Sequence, residues 1–580
     1  MCGISGVMSS SKVESADLSL IRRIVKLQKR RGPDHSGVQR YDHCILGHNR
    51  LKILDLSAKG NQPMETRRFS IVFNGEIYNY KNLRSKLEDT GVKFDGDSDT
   101  EVLLRHFHLY GLEDTLSKIN GMFAIALYDK IDNKLHLIRD RLGIKPLYYF
   151  IDAENKKIYF ASNLKSIFLP THQMLQKKWS INYEAIYKYL LLGGCWEGET
   201  IVNNIYKLGS ATTLTIDKDF IINVKKYWKP KFRKDKDSAE HLGSLIKSSI
   251  LLRKKSDVPT SVLFSGGIDS GTIAYFMKNS ICIYLKNREE EYAKKTAEEL
   301  GVKLVVMNEE SDINCDDLLE HVKKYIYFSG EPSKSCTVPM VTLEEAKSLS
   351  TVVLSGNGGD EVFYGYHRTP RIGIFRAGPS EQYHIAHMFR HPQSVKVRGV
   401  NQYSLEKLTE MVYDNDLEEG FGEEAKYRWA ELNNCVKNEL NPTLDYASMY
   451  YGLEARVPFL DHRLVEAALS YDHKSHISNA ASGEAGIRRK TVQKNILSNK
   501  MSEEFINRKK VGFSLPGSLN EAFRGHVGEE YVNKLLDRGI IEHVDYSIGI
   551  EGRNSAYLKN ACVSLELWMQ EYVDTGIIEE

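Results

Sequence analysis

In the first half of the chain, apolar residues fall in short runs separated by turn-forming ones. Ile71-Val72-Phe73 leads into Asn74-Gly75-Glu76, a pattern that predicts a strand running into a tight turn. Met122 to Tyr128 is a second strand-like run. A turn from Asp129 to Asn133 closes it, and His136-Leu137-Ile138-Arg139 follows as its hairpin partner. Such hairpins predict a largely antiparallel sheet system. The stretch from Lys229 to Asp237 is charged and aperiodic, and predicts a linker. Beyond it the pattern changes. Ser261 to Phe264, Ile281 to Leu285, Leu304 to Met307 and Thr351 to Leu354 are short buried-type strands, and Glu291 to Leu300 has helical periodicity. Strands alternating with helices predict βαβ units and a parallel sheet. Residues 375–440 are polar and read as a helical insertion with loops.

A chain of 580 residues outgrows a single hydrophobic core, so at least two domains are expected. The pattern change divides it into a domain over 1–228, a linker over 229–238 and a domain over 239–580. A formal net charge of +2 gives no reason to expect nucleic acid or an acidic membrane as partner. No apolar run has the length of a membrane span, and the first twenty residues lack a signal-peptide core, so a cytoplasmic protein is expected. The eight cysteines show neither Cys-x-x-Cys nor zinc-type spacing, which suits a reducing compartment.

Candidate chemistry begins at the second residue. The start Met1-Cys2-Gly3-Ile4 would leave Cys2 as N-terminus once the methionine is trimmed. Its α-amine, with a pKa of roughly 7.7–8.0, would then sit beside a thiol of about 8.5. The amine can take the thiol proton and release a thiolate that attacks a carbonyl. A second motif, Ser265-Gly266-Gly267-Ile268-Asp269-Ser270, lies between a strand and a helix. Glycine backbone N–H groups, serine hydroxyls and a helix N-terminus there suit an anion such as pyrophosphate. Asp269 would oppose that anion unless a cation bridges them, which points to magnesium. Ser355-Gly356-Asn357-Gly358-Gly359-Asp360-Glu361 follows another strand. Turns at the carboxyl ends of parallel strands line one crevice, where Asp360 and Glu361 would complete the magnesium site or cap a helix. In the first half, Arg50, Asn74, Gly75, Glu76 and Asp99 form a set that an amino-acid amide needs: Arg for carboxylate, Glu or Asp for ammonium, Asn and Gly N–H for an oxyanion. Spacing alone does not choose them among other polar residues. The segment from Arg31 to Gly37 reads as a loop, and His35 and His48 receive no chemical role.

The ordered motifs resemble the glutamine-hydrolysing asparagine synthetases and related amidotransferases along nearly the whole chain. They include Met1 to Ile4, Arg31-Gly32-Pro33-Asp34, Arg50-Leu51, Asn74 to Asn79, Ser98 to Glu101, Asn120 to Ala124 and Arg139 to Tyr149. In the second half come Ser265 to Ser270, Ser355 to Glu361, Glu454 to Asp461, Lys490 and Arg508 to Phe513. The resemblance implies an Ntn-type αββα sandwich with Cys2 as nucleophile, Asn74 and Gly75 as oxyanion donors, and Arg50, Asn74, Glu76 and Asp99 holding glutamine. It implies a second, PP-loop domain with a doubly wound parallel sheet that adenylates a carboxylate. There Phe264 and Tyr284 would hold adenosine, and Ser265, Gly266, Gly267, Asp269 and Ser270 pyrophosphate. Ser355 and Gly356 would close the nucleotide site, and Lys490 would lie against the phosphates. Ammonia would cross between the sites inside the protein. The implied small molecules are glutamine, ATP with Mg2+, and a carboxylate, with aspartate leading; a homodimer stays open. The chain departs from the asparagine-forming pattern at Asn357, where a glutamate is usual, and in Glu331 to Pro339. A uronic-acid sugar, a peptide or a secondary metabolite therefore stays open as acceptor. A non-synthetic binding homologue is the alternative of another class.

Overall fold

Alternation of side chains along each strand decides which residues of the N-terminal half face one another. The computed structural model describes residues 2–233, 238–287, 289–307, 314–366, 390–413, 417–471, 489–507, 523–548 and 553–580. The first twelve strands are β1 (Gly3–Ser9), β2 (His35–Arg40), β3 (Cys44–Arg50), β4 (Met64–Glu65), β5 (Phe69–Ile77), β6 (Gly121–Asp129), β7 (Lys134–Arg139), β8 (Tyr148–Asp152), β9 (Lys157–Ala161), β10 (Ile205–Lys207), β11 (Thr212–Asp217) and β12 (Ile222–Lys226). Among the described residues they build two six-stranded sheets, ordered β10-β8-β9-β1-β3-β2 and β12-β11-β7-β6-β5-β4. Every pairing in them is antiparallel. Ile4, Met8, Cys44, Leu46, Val72, Ala124, Leu137 and Leu214 fill the layer between the sheets. Outward residues of β3 meet the helix Ser15–Leu27, and those of β5 meet the helix Asp99–Lys118. The result is the αββα sandwich that the resemblance implies.

The hairpin β6–β7 forms as its pattern predicts, with Asp129 opposite Lys134. Asn74-Gly75-Glu76 is not a turn. It continues β5, with Asn74 opposite Ala124, Gly75 opposite Phe123 and Glu76 opposite Met122. Glycine is needed here for close approach: a Cβ on residue 75 would lie 2.0 Å from the Met122 carbonyl oxygen. The segment expected as a loop from Arg31 to Gly37 passes into β2 at His35.

The C-terminal half contains β13 (Thr260–Leu263), β14 (Ile281–Leu285), β15 (Lys303–Met307), β16 (Val352–Leu354), β17 (Val395–Val397), β18 (Glu454–Arg456) and β19 (Ile541–Val544). Among the described residues five of these make a parallel sheet ordered β15-β14-β13-β16-β18, and β17 pairs with β19 apart from it. The helices Ile268–Phe276 and Glu290–Leu300 connect successive strands. The order reverses at β13, so the crevice of this doubly wound sheet opens where β13 and β16 end. Of the polar stretch 375–440, residues 375–389 and 414–416 lie outside the described set. The described part includes the helices Leu405–Val412 and Glu423–Glu431. Within the expected linker, residues 234–237 also lie outside it. Before them, Trp228 Nε1 donates to Glu466 at 2.9 Å and Arg233 Nε donates to Glu466 at 3.1 Å.

The two halves meet through buried charge. Asp445 accepts from Arg31 at 2.9 Å and from Lys145 at 3.2 Å, and all three side chains are buried. Lys145 is delivered by a loop wound around Asp140, whose carboxylate accepts the N–H groups of Leu142, Ile144 and Lys145. Glu331 takes the Tyr148 hydroxyl at 2.8 Å and the Lys207 ammonium at 3.0 Å. Removing one partner of a buried pair strands the other charge, which costs roughly 3–5 kcal/mol. Asp445→Ala, which strands two cations, is expected to lose at least about 3 kcal/mol in denaturant unfolding. Removing the exposed carboxylate of the Arg84–Glu88 pair should change stability by less than about 1 kcal/mol.

Candidate active sites

One cavity in the N-terminal half is lined by Cys2, Arg50, Gly75, Glu76 and Asp99, together with Gln62, Ser98, Thr100 and, from the other half, Glu454. Residues that are far apart in sequence are thus gathered at one end of the sandwich. Cys2 precedes β1 and shares the inward face of Ile4 by alternation. Its backbone nitrogen donates to Asn74 Oδ1 at 3.1 Å, and its carbonyl accepts from Arg31 Nε at 3.0 Å. Asn74 Nδ2 is buried and among the described residues has no partner, so the amide whose oxygen takes the Cys2 N–H keeps a donor to offer. Burial pushes the Cys2 thiol up, while positive charge at the chain start, a hydrogen bond from the Leu51 backbone and Arg50 pull it down.

The edge of β5 carries the second donor. Its neighbour β4 is two residues long and pairs with Ser70 and Ile71, so among the described residues β5 has no strand partner on that side from Phe73 onward. The Phe73 N–H donates instead to Gln62 Oε1 at 2.7 Å, and the Ile77 N–H to Asp99 Oδ2 at 2.8 Å. Alternation directs the Gly75 N–H to the same edge, between those two and facing the cavity that Gly75 lines.

The charged residues are held by their neighbours. Arg50 donates to the Ser57 carbonyl at 2.7 Å, to Asn61 Oδ1 at 2.8 Å, to Leu54 at 3.3 Å and to the Asp55 carbonyl. A Cβ on Gly60 would lie 2.1 Å from Arg50 Nη2, so glycine there leaves room for the guanidinium. Burial pushes the Asp99 carboxyl up to about 6; its hydrogen bond from Ile77 opposes this and the nearby Glu454 adds to it. Burial also raises Glu76, helped by Glu454 and Asp99.

In the C-terminal half the two glycine-rich turns face each other across the crevice. The Ser265 N–H donates to Ser270 Oγ at 3.1 Å, the two serine hydroxyls are 3.1 Å apart, and the Gly267 N–H reaches Ser265 Oγ at 3.3 Å. Gly266 has φ of 68°, and a Cβ there would crowd the Ala293 backbone at 2.9 Å. Phe264 is buried and its N–H donates to the Ile283 carbonyl at 2.8 Å; next to it Tyr284 donates its hydroxyl to Asn287 at 2.6 Å. A Cβ on Gly356 would lie 3.1 Å from Asp269 Cβ, and one on Gly359 2.5 Å from Asp269 Oδ1, so the second turn packs directly on Asp269. The Ser355 N–H is held by the Arg456 carbonyl at 2.8 Å, and Ser355 Oγ donates to Asn357 Oδ1 at 3.1 Å. Lys490, buried, joins Asp269 and Asp360 through its ammonium. Burial works against that charge, but the two carboxylates raise its pKa.

A magnesium ion bound through phosphates needs one or two carboxylates. Asp269 and Asp360 fit that requirement, because a positive charge already stands between them. Glu361, expected as a third metal residue, turns elsewhere. It is buried, accepts the Tyr366 hydroxyl at 2.7 Å and is pushed up to about 7 by burial and by Asp360. Among the described residues no trio of His, Cys, Asp and Glu is gathered tightly enough to hold a metal by itself. The segment from Arg508 to Phe513 lies outside the described residues.

Several site residues had no role assigned from sequence. Gln62 satisfies the β5 edge, Gln493 Nε2 donates to Asp269 at 2.7 Å, and Glu454 lines the Cys2 cavity from the other half. Glu454 was legible only as part of a motif, with nothing local to show where it points.

The glutamine amidotransferase domain family matches residues 1–228, and the asparagine synthase family matches residues 241–572. Asparagine synthetase (glutamine-hydrolyzing) 1 of Bacillus subtilis (strain 168) is 28% identical over 94% of this chain and 94% of its own. Asparagine synthetase (glutamine-hydrolyzing) 3 of the same organism is 29% identical over 85% and 84%. The asparagine synthetase (glutamine-hydrolyzing) of Asparagus officinalis is 26% identical over 82% and 70%. Among the described residues no helix is long and apolar enough to cross a membrane. With one family on the half that holds Cys2 and the other on the half that holds Lys490, the chain belongs to the asparagine synthase family and is a glutamine-hydrolysing, amidotransferase-type ligase.

Proposed function

We propose that the chain hydrolyses glutamine at Cys2 and passes the ammonia to a carboxylate activated by ATP, with aspartate as acceptor and asparagine as product. The observation that carries the first half is the single cavity that gathers Cys2, Arg50, Gly75, Glu76 and Asp99. Arg50 takes the α-carboxylate of glutamine, and Glu76 and Asp99 take its α-ammonium. The Cys2 sulfur attacks the side-chain amide carbon, with its proton passed to the α-amine that trimming of Met1 exposes. Asn74 Nδ2 and the Gly75 N–H receive the oxyanion. Ammonia leaves with the transferred proton, and water then splits the thioester to glutamate and free thiol.

In the second half, Ser265 to Ser270 and Lys490 hold the ATP phosphates, Phe264, Tyr284, Ser355 and Gly356 the rest of the nucleotide. The acceptor carboxylate attacks the α-phosphorus, pyrophosphate leaves, and ammonia displaces AMP from the acyl-adenylate. Asp269 and Asp360 would hold Mg2+, which when bound supplies charge neutralisation for the polyphosphate. The two activities divide at the linker 229–238. Ammonia travels inside the protein, since in water it would be protonated and lost.

A second acceptor is favoured by one observation: Asn357, already engaged with Ser355 Oγ, cannot act as a base. Under that reading the acceptor is a uronic-acid sugar, a peptide or a secondary-metabolite acid. Pyrophosphate release with ATP, Mg2+ and ammonia, measured across a panel of carboxylates, is expected to be greatest with aspartate. Release with another acid and none with aspartate sinks the aspartate assignment. Cys2→Ala is expected to lose glutamine-dependent synthesis and keep ammonia-dependent synthesis; loss of both in a folded protein contradicts two separable sites. For Asp99, whose pKa lies above the ordinary carboxylate value, the ionised form that holds ammonium is lost as pH falls through about 6. kcat/KM for glutamine should therefore fall up to about tenfold per unit below that pH, and Asp99→Asn should remove its share of that limb.

A further inference from the structure

Part of the wall of the Cys2 cavity belongs to the other half of the chain. Glu454, the first residue of β18, is buried and lines the cavity with Glu76 and Asp99. Arg456 lies two residues on and faces the same side by alternation. Its Nε is 2.5 Å from Glu454 Oε1, and its Nη2 is 3.5 Å from Glu76 Oε1. Its Nη1 is taken by the carbonyls of Arg253 at 2.7 Å and Lys255 at 2.5 Å. Arg253, the next guanidinium, is committed to Asp461 at 3.0 Å.

Three carboxylates, Glu76, Asp99 and Glu454, line this wall. Arg456 and Lys145 stand near Glu454, and Arg50 near Asp99. Three carboxylates along one cavity wall suit a ligand that donates several charge-assisted hydrogen bonds. No trio among the described residues is arranged to hold a metal. The cavity has independent marks of an amino-acid site: the Arg50 guanidinium in its lining and, on the side chain bound to the Cys2 backbone, the buried Asn74 Nδ2 with no partner among the described residues. The cation that fits such a cavity is an α-ammonium.

We infer that Glu454 is a glutamine-recognising residue, which joins Glu76 and Asp99 around the α-ammonium and completes the glutaminase pocket from the synthetase half. The inference rests on the glutamine reading of the cavity given above. The same strand carries the Arg456 carbonyl that holds the Ser355 N–H of the second glycine-rich turn. The glutamine pocket is thus complete only with the parallel sheet docked against it. The titratable and charged groups facing Glu454 are Glu76 and Tyr78 from β5 and the residue after it, Asp99 from its helix, Lys145 from its loop, Cys2, and Arg456 on its own strand. Loss of the Glu454 charge removes one of the influences that raise Asp99.

The test uses the full chain carrying Cys2→Ala, so that ligands bind without turnover. Calorimetric affinities are measured for L-glutamine and for 4-carbamoylbutanoate, which lacks the α-ammonium, from pH 5 to 8. Glu454→Gln, added to that background, is expected to weaken L-glutamine by about tenfold or more and leave 4-carbamoylbutanoate within about twofold. It should also move the acid limb of L-glutamine binding to lower pH. Equal weakening of both ligands, or an acid limb that stays in place, overturns the inference and leaves Glu454 a structural residue. If the Cys2→Ala protein binds no L-glutamine at all, the glutamine reading of the cavity fails instead. Where the desamino ligand binds too weakly to measure, the position of the acid limb decides.

Discussion

A charge can be buried in a protein only with its counter-charge, and at the junction of the two halves each supplies what the other lacks. Arg31 and Lys145 come from the αββα half and find Asp445 in the parallel-sheet half. Glu331 goes the other way, to Tyr148 and Lys207. Arg456 reaches Glu76. Such pairs add little net stability over apolar packing, because desolvation offsets much of the attraction. Their effect is on geometry: a misdocked junction strands several charges at once. Arg31 gives the constraint a chemical consequence, since the guanidinium that meets Asp445 also holds the Cys2 carbonyl.

A sheet edge is ordinarily a liability, with unpaired N–H and C=O groups open to any strand. Here it is used. The two-residue β4 ends early, and side chains rather than a strand cover the rest of the β5 edge. Gln62 and Asp99 occupy the positions on either side of Gly75. One backbone donor is left facing the cavity, flanked by two that are fixed. His48 Nε2 donates to the Phe73 carbonyl, 3.2 Å away, and so pins the same stretch from its other group. The two donors proposed for the oxyanion are thus held by their neighbours before any ligand binds, which is the condition for electrostatic preorganisation.

What was legible in the sequence followed the range of the interaction that determines it. Strands and the parallel-sheet units were legible because alternation and short apolar runs are local. Asn74-Gly75-Glu76 was misread as a turn because Asn-Gly is the commonest local turn signal, whereas pairing with β6 along the whole of β5 decides its conformation. Glu361 was expected beside Asp360 at a metal because the two adjoin; its carboxylate accepts the Tyr366 hydroxyl, a contact that no local window announces. The glutamine-site set was chemically sensible but not selectable by spacing; the fold gathers it. Asp445 and Gln493 were illegible for a different reason: their partners are hundreds of residues away, and nothing in a local window says which cation or carboxylate a side chain will meet. Glu454 pairs locally with Arg456, but the cavity it lines belongs to the other half.

Asn357 bears on the proposed synthesis in one of its two steps. Attack of an ionised carboxylate on the α-phosphorus transfers no proton, so an amide at position 357 in place of an acid costs that step no base. Attack of ammonia on the acyl-adenylate does release one proton, and something must accept it. Asn357 cannot, with a neutral amide already bound to Ser355 Oγ. Lys490, raised in pKa between two carboxylates, is charged and has no lone pair to offer. The departing AMP phosphate gains an oxygen anion as the bond to the acyl carbon breaks, and it stands beside the attacking nitrogen. With an amide at position 357, the proton acceptors that remain are the leaving group, solvent and neighbouring carboxylates such as Asp360 and Glu361.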